Sequence, residues 1–270
     1  MDIKRRQFLK IAGLSSIAGI GAPAALQMLF KGEFPNSALA SSAPSGHAAP
    51  AAAPTGKQYG MVIDHRKFVA DPGLAQKCID ACHSIHNVPN FPSRKDEIKW
   101  IWETPYENAF TSLPNQYASE EVEKSRFLVL CNHCADPPCV RVCPTKATYK
   151  NKDGIVLMDF HRCIGCRFCM AACPFGSRSF NWQDPRPFIK KYNPDFPTRM
   201  RGVVEKCNFC AERIAKDKEP ACVEVCGGNK AIVFGDLNDG HSEIRMILKE
   251  NFTVQRKPEL GTLPSVFYII

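Results

Sequence analysis

Fourteen cysteines, all between Cys78 and Cys226 of a 270-residue chain, constrain the fold more than any other feature. Most fall into three blocks. The first is Cys131-x2-Cys134-x4-Cys139-x3-Cys143, followed by Pro144. The second is Cys163-x2-Cys166-x2-Cys169-x3-Cys173, followed by Pro174, and the third is Cys207-x2-Cys210-x11-Cys222-x3-Cys226, followed by Gly227. A weaker element, Cys78-x3-Cys82, lies upstream. A chain this long buries enough apolar surface to fold without seven bridges, and x2 and x3 gaps close poor disulfide loops. Covalent haem needs Cys-x2-Cys-His, whereas Cys78-x3-Cys82-His83 has one residue too many. Zinc ribbons space their Cys-x2-Cys pairs further apart, so zinc competes chiefly at the third block, whose long gap is the least diagnostic.

The second block has the spacing by which three thiolates hold one iron–sulfur cluster and a fourth reaches the next. Two-residue gaps let a tight loop wrap three corners of a [4Fe–4S] cube with its N–H groups aimed at sulfur. The x3 gap then opens a helix that carries the last cysteine to a neighbouring cube, and proline redirects the chain. Two such blocks in tandem predict two reciprocally bridged clusters. Between them, Ala147–Lys150 and Ile155–Met158 flank Asn151-Lys152-Asp153-Gly154, a predicted hairpin, and Ala231–Phe234 before Gly235-Asp236 predicts another strand. Cysteine loop, short helix and short strand therefore repeat. The fold class they predict is α+β, built of tandem bacterial-ferredoxin-like modules with loop insertions.

The N-terminus reads separately. Lys4-Arg5-Arg6-Gln7-Phe8-Leu9-Lys10 precedes an apolar run from Ile11 to Phe30 and a small-residue site, Ala38-Leu39-Ala40. That pattern is an export signal, and the arginine pair followed by Phe-Leu-Lys has the twin-arginine form over residues 1–40, a route that exports folded proteins. A plain secretory signal or a retained anchor is the competing reading. Residues 41–58 are rich in Ala, Pro and Ser and predict a flexible linker.

From about Tyr59 onward the residues resemble a known family, the four-block polyferredoxin subunits of membrane respiratory oxidoreductases. The resemblance rests on the cysteine blocks, on Ala81-Cys82-His83-Ser84-Ile85-His86-Asn87-Val88-Pro89, and on the tail Glu259-Leu260-Gly261-Thr262-Leu263-Pro264-Ser265-Val266-Phe267-Tyr268. With its own twin-arginine signal and an incomplete first block, the chain looks most like the DsrO-type subunits of DsrMKJOP complexes in sulfate-metabolising microbes. The family layout pairs inner blocks with each other and outer blocks with each other. It implies one cluster on Cys131, Cys134, Cys139 and Cys173, and a second on Cys163, Cys166, Cys169 and Cys143. It gives a third to Cys207, Cys210 and Cys222 with Cys82. An inner domain would then span 127–182, and an outer half would combine 59–126 with 183–270.

Here the sequence departs from the family. Only Cys78 and Cys226 remain for a fourth cluster, since 64–76 holds no thiol, so three [4Fe–4S] clusters are expected. Asp64, His83 and His86 are the substitute ligands on offer, though such histidines are more often ordinary polar residues. The layout places Cys78 and Cys226 at one vacant site, and the expectation drawn from that is that they lie within disulfide reach in an oxidising compartment.

The formal charge of +8 falls to +5 once residues 1–40, with five Lys/Arg and two Asp/Glu, are set aside. Each oxidised four-cysteine cluster contributes about −2, so the basic excess compensates clusters internally and is no nucleic-acid footprint. Lys190-Lys191 and Arg199–Arg201 read as solvated surface able to face an acidic partner. Trp100, Trp102, Tyr106 and Phe110 lie in a cysteine-free insertion, Phe91–Lys124, and read as core first and docking surface second. No nucleotide-binding, zinc-protease or nucleophile-elbow motif is present. Asp236–Gly240 reads as a turn. The expectation is an extracytoplasmic electron-transfer subunit without a catalytic site or small-molecule substrate of its own. Its partners, implied by the resemblance, are an NrfD-type integral membrane subunit and a multihaem cytochrome c subunit, through which it meets the membrane. The alternative is the electron-input subunit of a molybdenum-containing reductase of the DMSO or polysulfide type.

Overall fold

The computed structural model describes residues 56–270 apart from Gln116; the expected signal and most of the expected linker lie outside the described residues. Among the described residues, nine strands run in the order β1 (Tyr59–Asp64), β2 (Ile101–Pro105), β3 (Arg126–Leu130), β4 (Thr148–Lys150), β5 (Val156–Met158), β6 (Ser179–Phe180), β7 (Val204–Glu205), β8 (Ile232–Asp236) and β9 (Val266–Ile269). The α-helices are α1 (His65–Ala70), α2 (Leu74–Ile85), α3 (Tyr106–Ala109), α4 (Glu120–Lys124), α5 (Pro138–Arg141), α6 (Phe168–Ala172), α7 (Ala211–Ile214), α8 (Ala221–Cys226) and α9 (Glu243–Glu250). Among the described residues no helix is long and apolar enough to cross a membrane.

The largest sheet has the order β8-β1-β9. β1 runs antiparallel to β8, with Met61 opposite Phe234, and parallel to β9, with Ile63 opposite Tyr268. Every β1 residue after Tyr59 is buried, as expected of a central strand covered on both faces. One face packs on α9, whose Ile244 meets Val62, Val233 and Ile269. The other face joins the main core.

β2 and β3 pair antiparallel, with Ile101 opposite Leu130. Their insertion supplies core aromatics: Trp100 and Phe110 are fully buried, and Phe110 meets Phe127 and Tyr268 edge-on at 5.3 and 5.2 Å. The expected hairpin forms from β4 and β5, with Tyr149 opposite Leu157. Asn151 Oδ1 closes its turn by accepting from the N–H groups of Asp153 and Ile155, and Gly154 takes φ 77°.

One surface expectation is overturned. Arg199 is buried beside Glu205, at 2.7 Å, and also donates to the Asn87 carbonyl at 2.8 Å. Glu205 takes a second bond from Trp100 Nε1 at 3.0 Å. A buried cation persists when it is paired and hydrogen-bonded, and β7 provides that partner. Lys190, Lys191 and Arg201 are exposed as expected.

Candidate metal centres

The first Cys-x2-Cys loop of each block is curled by a left-handed residue just before its second cysteine: His133 (φ 41°), Gly165 (φ 70°) and Phe209 (φ 55°). At Gly165 only glycine fits, because a Cβ would run into the Gly202 carbonyl. N–H groups inside and outside these loops face sulfur. Phe209 N–H meets Cys207 Sγ at 3.4 Å, Ala221 N–H meets Cys210 Sγ at 3.4 Å, and Thr148 N–H meets Cys143 Sγ at 3.5 Å.

The thiols gather in three groups of four. In the first, burial pushes the Cys134 thiol up to about 12, and the neighbouring Cys131, Cys139 and Cys173 thiols reinforce it. Cys173, from the second block, is itself raised by burial and then by Cys131 and Cys139. In the second group Cys143 lines one pocket with Cys163, Cys166 and Cys169. Burial would raise the Cys143 thiol, but the Thr148 N–H, the Thr145 hydroxyl and further N–H groups hold it below its ordinary value.

The third group joins α2 to the third cysteine block. The helical period puts Leu74, Ala75, Cys78 and Cys82 on the buried face of α2. On α8 the same x3 gap puts Cys222 and Cys226 on a buried face. Burial, then Cys207, Cys210 and Cys222, raise the Cys82 thiol well above its usual range. Cys207 is pushed up to about 12 by burial, with Lys206 opposing. Cys78 and Cys226, next to Cys82 and Cys222, touch each other, Sγ to Sγ, at 3.7 Å.

The groups form a row. Buried Arg178 faces Cys139 and Cys131 of the first group and Cys169 of the second. The first and third meet where Cys131 faces Cys207 and the His133 and Phe209 rings stack at 3.6 Å. The Cys78–Cys226 contact adjoins Cys222 and Cys82 beyond the third group.

This donor chemistry fits [4Fe–4S] clusters. Crowded, buried thiols cannot all ionise without a cationic core, and an iron–sulfur core supplies that charge to four thiolates. Of the substitute ligands, Asp64 is engaged by Arg66 at 2.9 Å. His86 borders the third group: its Nδ1 lies 3.6 Å from Cys82 Sγ and its Nε2 lies 2.8 Å from Glu212 Oε1. His86, Cys210 and Glu212 offer ligand atoms within 4.8 Å of one another.

Sequence reasoning named His86 but missed three residues here: Arg178, Lys206, and Glu212, the partner of His86. Lys206 Nζ donates to the Cys207 carbonyl at 2.5 Å while buried. The only signal in the sequence was the basic excess, which gave no positions.

Comparison with known proteins agrees with this chemistry. Residues 123–188 match the 4Fe-4S dicluster domain family. The chain is 37% identical to the Hdr-like menaquinol oxidoreductase iron-sulfur subunit 1 of Archaeoglobus fulgidus, over 98% of this chain and 97% of the relative. It is 37% identical to the menaquinone reductase iron-sulfur cluster-binding subunit of Nitratidesulfovibrio vulgaris, over 78% and 88%. It is 34% identical to the B subunit of polysulfide reductase of Wolinella succinogenes, over 79% and 94%.

Proposed function

The chain belongs to the family of 4Fe-4S iron–sulfur subunits of menaquinol- and polysulfide-type oxidoreductases, and from that premise we propose that it is an exported electron-transfer subunit with three [4Fe–4S] clusters. The observation that carries this reading is the sorting of twelve thiols into three neighbouring groups of four. Cys131, Cys134, Cys139 and Cys173 hold the first cluster; Cys143, Cys163, Cys166 and Cys169 the second; Cys82, Cys207, Cys210 and Cys222 the third. Bound there, the clusters supply one-electron redox chemistry without proton bookkeeping. The chain fixes their order, encloses the first and third groups, and adjusts their potentials through N–H···S bonds and the buried cations Arg178 and Lys206.

The proposed setting is a quinone-linked membrane complex of the DsrMKJOP type, with an NrfD-type membrane subunit and a multihaem cytochrome c as partners. The twin-arginine pattern supports an extracytoplasmic location, since clusters can be inserted before a folded protein is exported. The likeness to the polysulfide reductase subunit supports the second reading, electron input to a molybdenum-containing reductase. Purification from native membranes tests both. About twelve iron atoms per chain with a quinone-reactive membrane subunit and cytochrome c support the first reading, and a co-purifying molybdenum subunit selects the second. A colourless, iron-free protein would overturn both.

A further inference from the structure

We propose that Cys78 and Cys226 form an intramolecular disulfide that joins α2 to α8 at the end of the row of thiol groups. The two helices carry matched Cys-x3-Cys pairs on facing buried surfaces. One member of each, Cys82 and Cys222, belongs to the third group. The other two sulfurs meet at 3.7 Å and are the one pair of thiols among the described residues hydrogen-bonded to each other. Cluster ligands stand apart across the face of a cube, whereas these two have closed into contact.

Their surroundings offer no other use for them. Both thiols otherwise point at the Cys222 carbonyl oxygen, at 3.5 and 3.2 Å. Among the described residues no third cysteine, histidine or carboxylate offers a ligand atom within 4.8 Å of both, the spacing a single metal ion requires. Two soft donors cannot hold a cubane, and zinc takes four ligands in a structural site. A disulfide satisfies both sulfurs and crosslinks residues 148 positions apart, and long loops gain most from such closure.

Bond formation removes two electrons and two protons from the thiols. The oxidant is a disulfide donor. The Cys226 thiolate attacks one donor sulfur, releasing the other and forming a mixed disulfide. Cys78 then attacks the Cys226 sulfur and releases the remaining donor sulfur, so the donor leaves as two thiols carrying both electrons and both protons. Cys226 attacks first because it is the less enclosed, at 5% exposure against 0% for Cys78, and lies at the end of α8 before Gly227-Gly228.

The inference rests on the three-cluster reading but not on cellular location, because the chemistry is testable in the purified holoprotein. Iron is first counted in wild-type protein, where a value well below about twelve rejects the three-cluster reading by itself. The holoprotein is then equilibrated across glutathione/glutathione-disulfide ratios, alkylated, and mapped by mass spectrometry without reduction. A Cys78–Cys226 linked peptide pair at the oxidising end, with iron unchanged, is the expected result. Separately alkylated Cys78 and Cys226 at every ratio would overturn it. Cys78→Ser and Cys226→Ser each abolish the linked pair and leave iron at the wild-type level; loss of about four iron atoms in either variant would make the pair cluster ligands and end the proposal.

Discussion

Arg178 Nη2 donates to Cys139 Sγ at 3.1 Å, with the guanidinium buried and its other amino group held by Thr148 Oγ1 at 3.1 Å. Burial disfavours the charged guanidinium, but the surrounding Cys139, Cys169 and Cys131 thiolates outweigh it and hold Arg178 protonated. A fixed cation at a ligand sulfur stabilises the reduced, more negative cluster. Arg178→Gln should therefore lower the midpoint potential of at least one cluster, by on the order of 59 mV for each tenfold change in the reduced-to-oxidised ratio of a one-electron couple. An EPR-monitored redox titration measures this. Unchanged potentials with intact clusters would remove Arg178 from the set of tuning residues.

Cys82 is the one thiol in the third group that comes from the N-terminal side of the insertion, and the other three lie between Cys207 and Cys222. Cys82→Ser should abolish one cluster, about four iron atoms, and leave the other two groups with their full thiol sets. Iron and sulfide analysis together with EPR spin counting read this. Full retention of iron would place the fourth ligand elsewhere, with His86 the nearest alternative.

The inner blocks were legible because their short gaps confine four cysteines to one loop and one helix turn, and the hairpin was legible from Asn151 and Gly154. The sheet around β1 was not. β1 and β9 are separated by some two hundred residues, and their parallel pairing depends on long-range closure that no local pattern encodes. Arg199 was misplaced because a run of basic residues looks solvated until the turn after it folds Glu205, six residues on in β7, against the guanidinium and both are buried with Trp100 and Asn87. Arg178 and Lys206 share this difficulty, since their partners are sulfurs and carbonyls assembled only by tertiary contacts.

His65 gives the fold an acid-sensitive point. Its ring stacks on Phe127 at 3.6 Å, Nε2 lies 2.8 Å from Ser125 Oγ, and burial lowers its pKa to about 4, only partly opposed by Asp64. The unfolded chain binds a proton near pH 6.5 and the folded chain only near pH 4. Stability from this group is thus complete above pH 6.5 and falls as pH drops from 6.5 towards 4. Denaturation midpoints across that window should decline with acid, and His65→Gln should flatten the part of the decline due to this residue. An identical slope in the variant would assign the acid sensitivity to other groups.

The second thiol group lies at the surface end of the row. Cys143, Cys163 and Cys166 are only half-buried, whereas Cys82, Cys207, Cys210 and Cys222 are enclosed. Beside the half-buried thiols, Ile164 and Phe168 are 67% and 58% exposed within the same cysteine block, and Trp182 stands out of the adjoining segment with Arg167 over its ring. Apolar side chains held out to solvent around a redox centre suit a partner that must approach closely without a deep interlock. Ile164→Glu and Phe168→Glu should slow electron exchange with the proposed membrane complex by about fivefold or more, since truncation or charge at a contact centre costs more than about 1 kcal/mol. Cluster content should stay at the wild-type level. Rates followed by stopped-flow absorbance with the proposed partner complex test this, and unaltered rates in the double variant would move the electron port to another face.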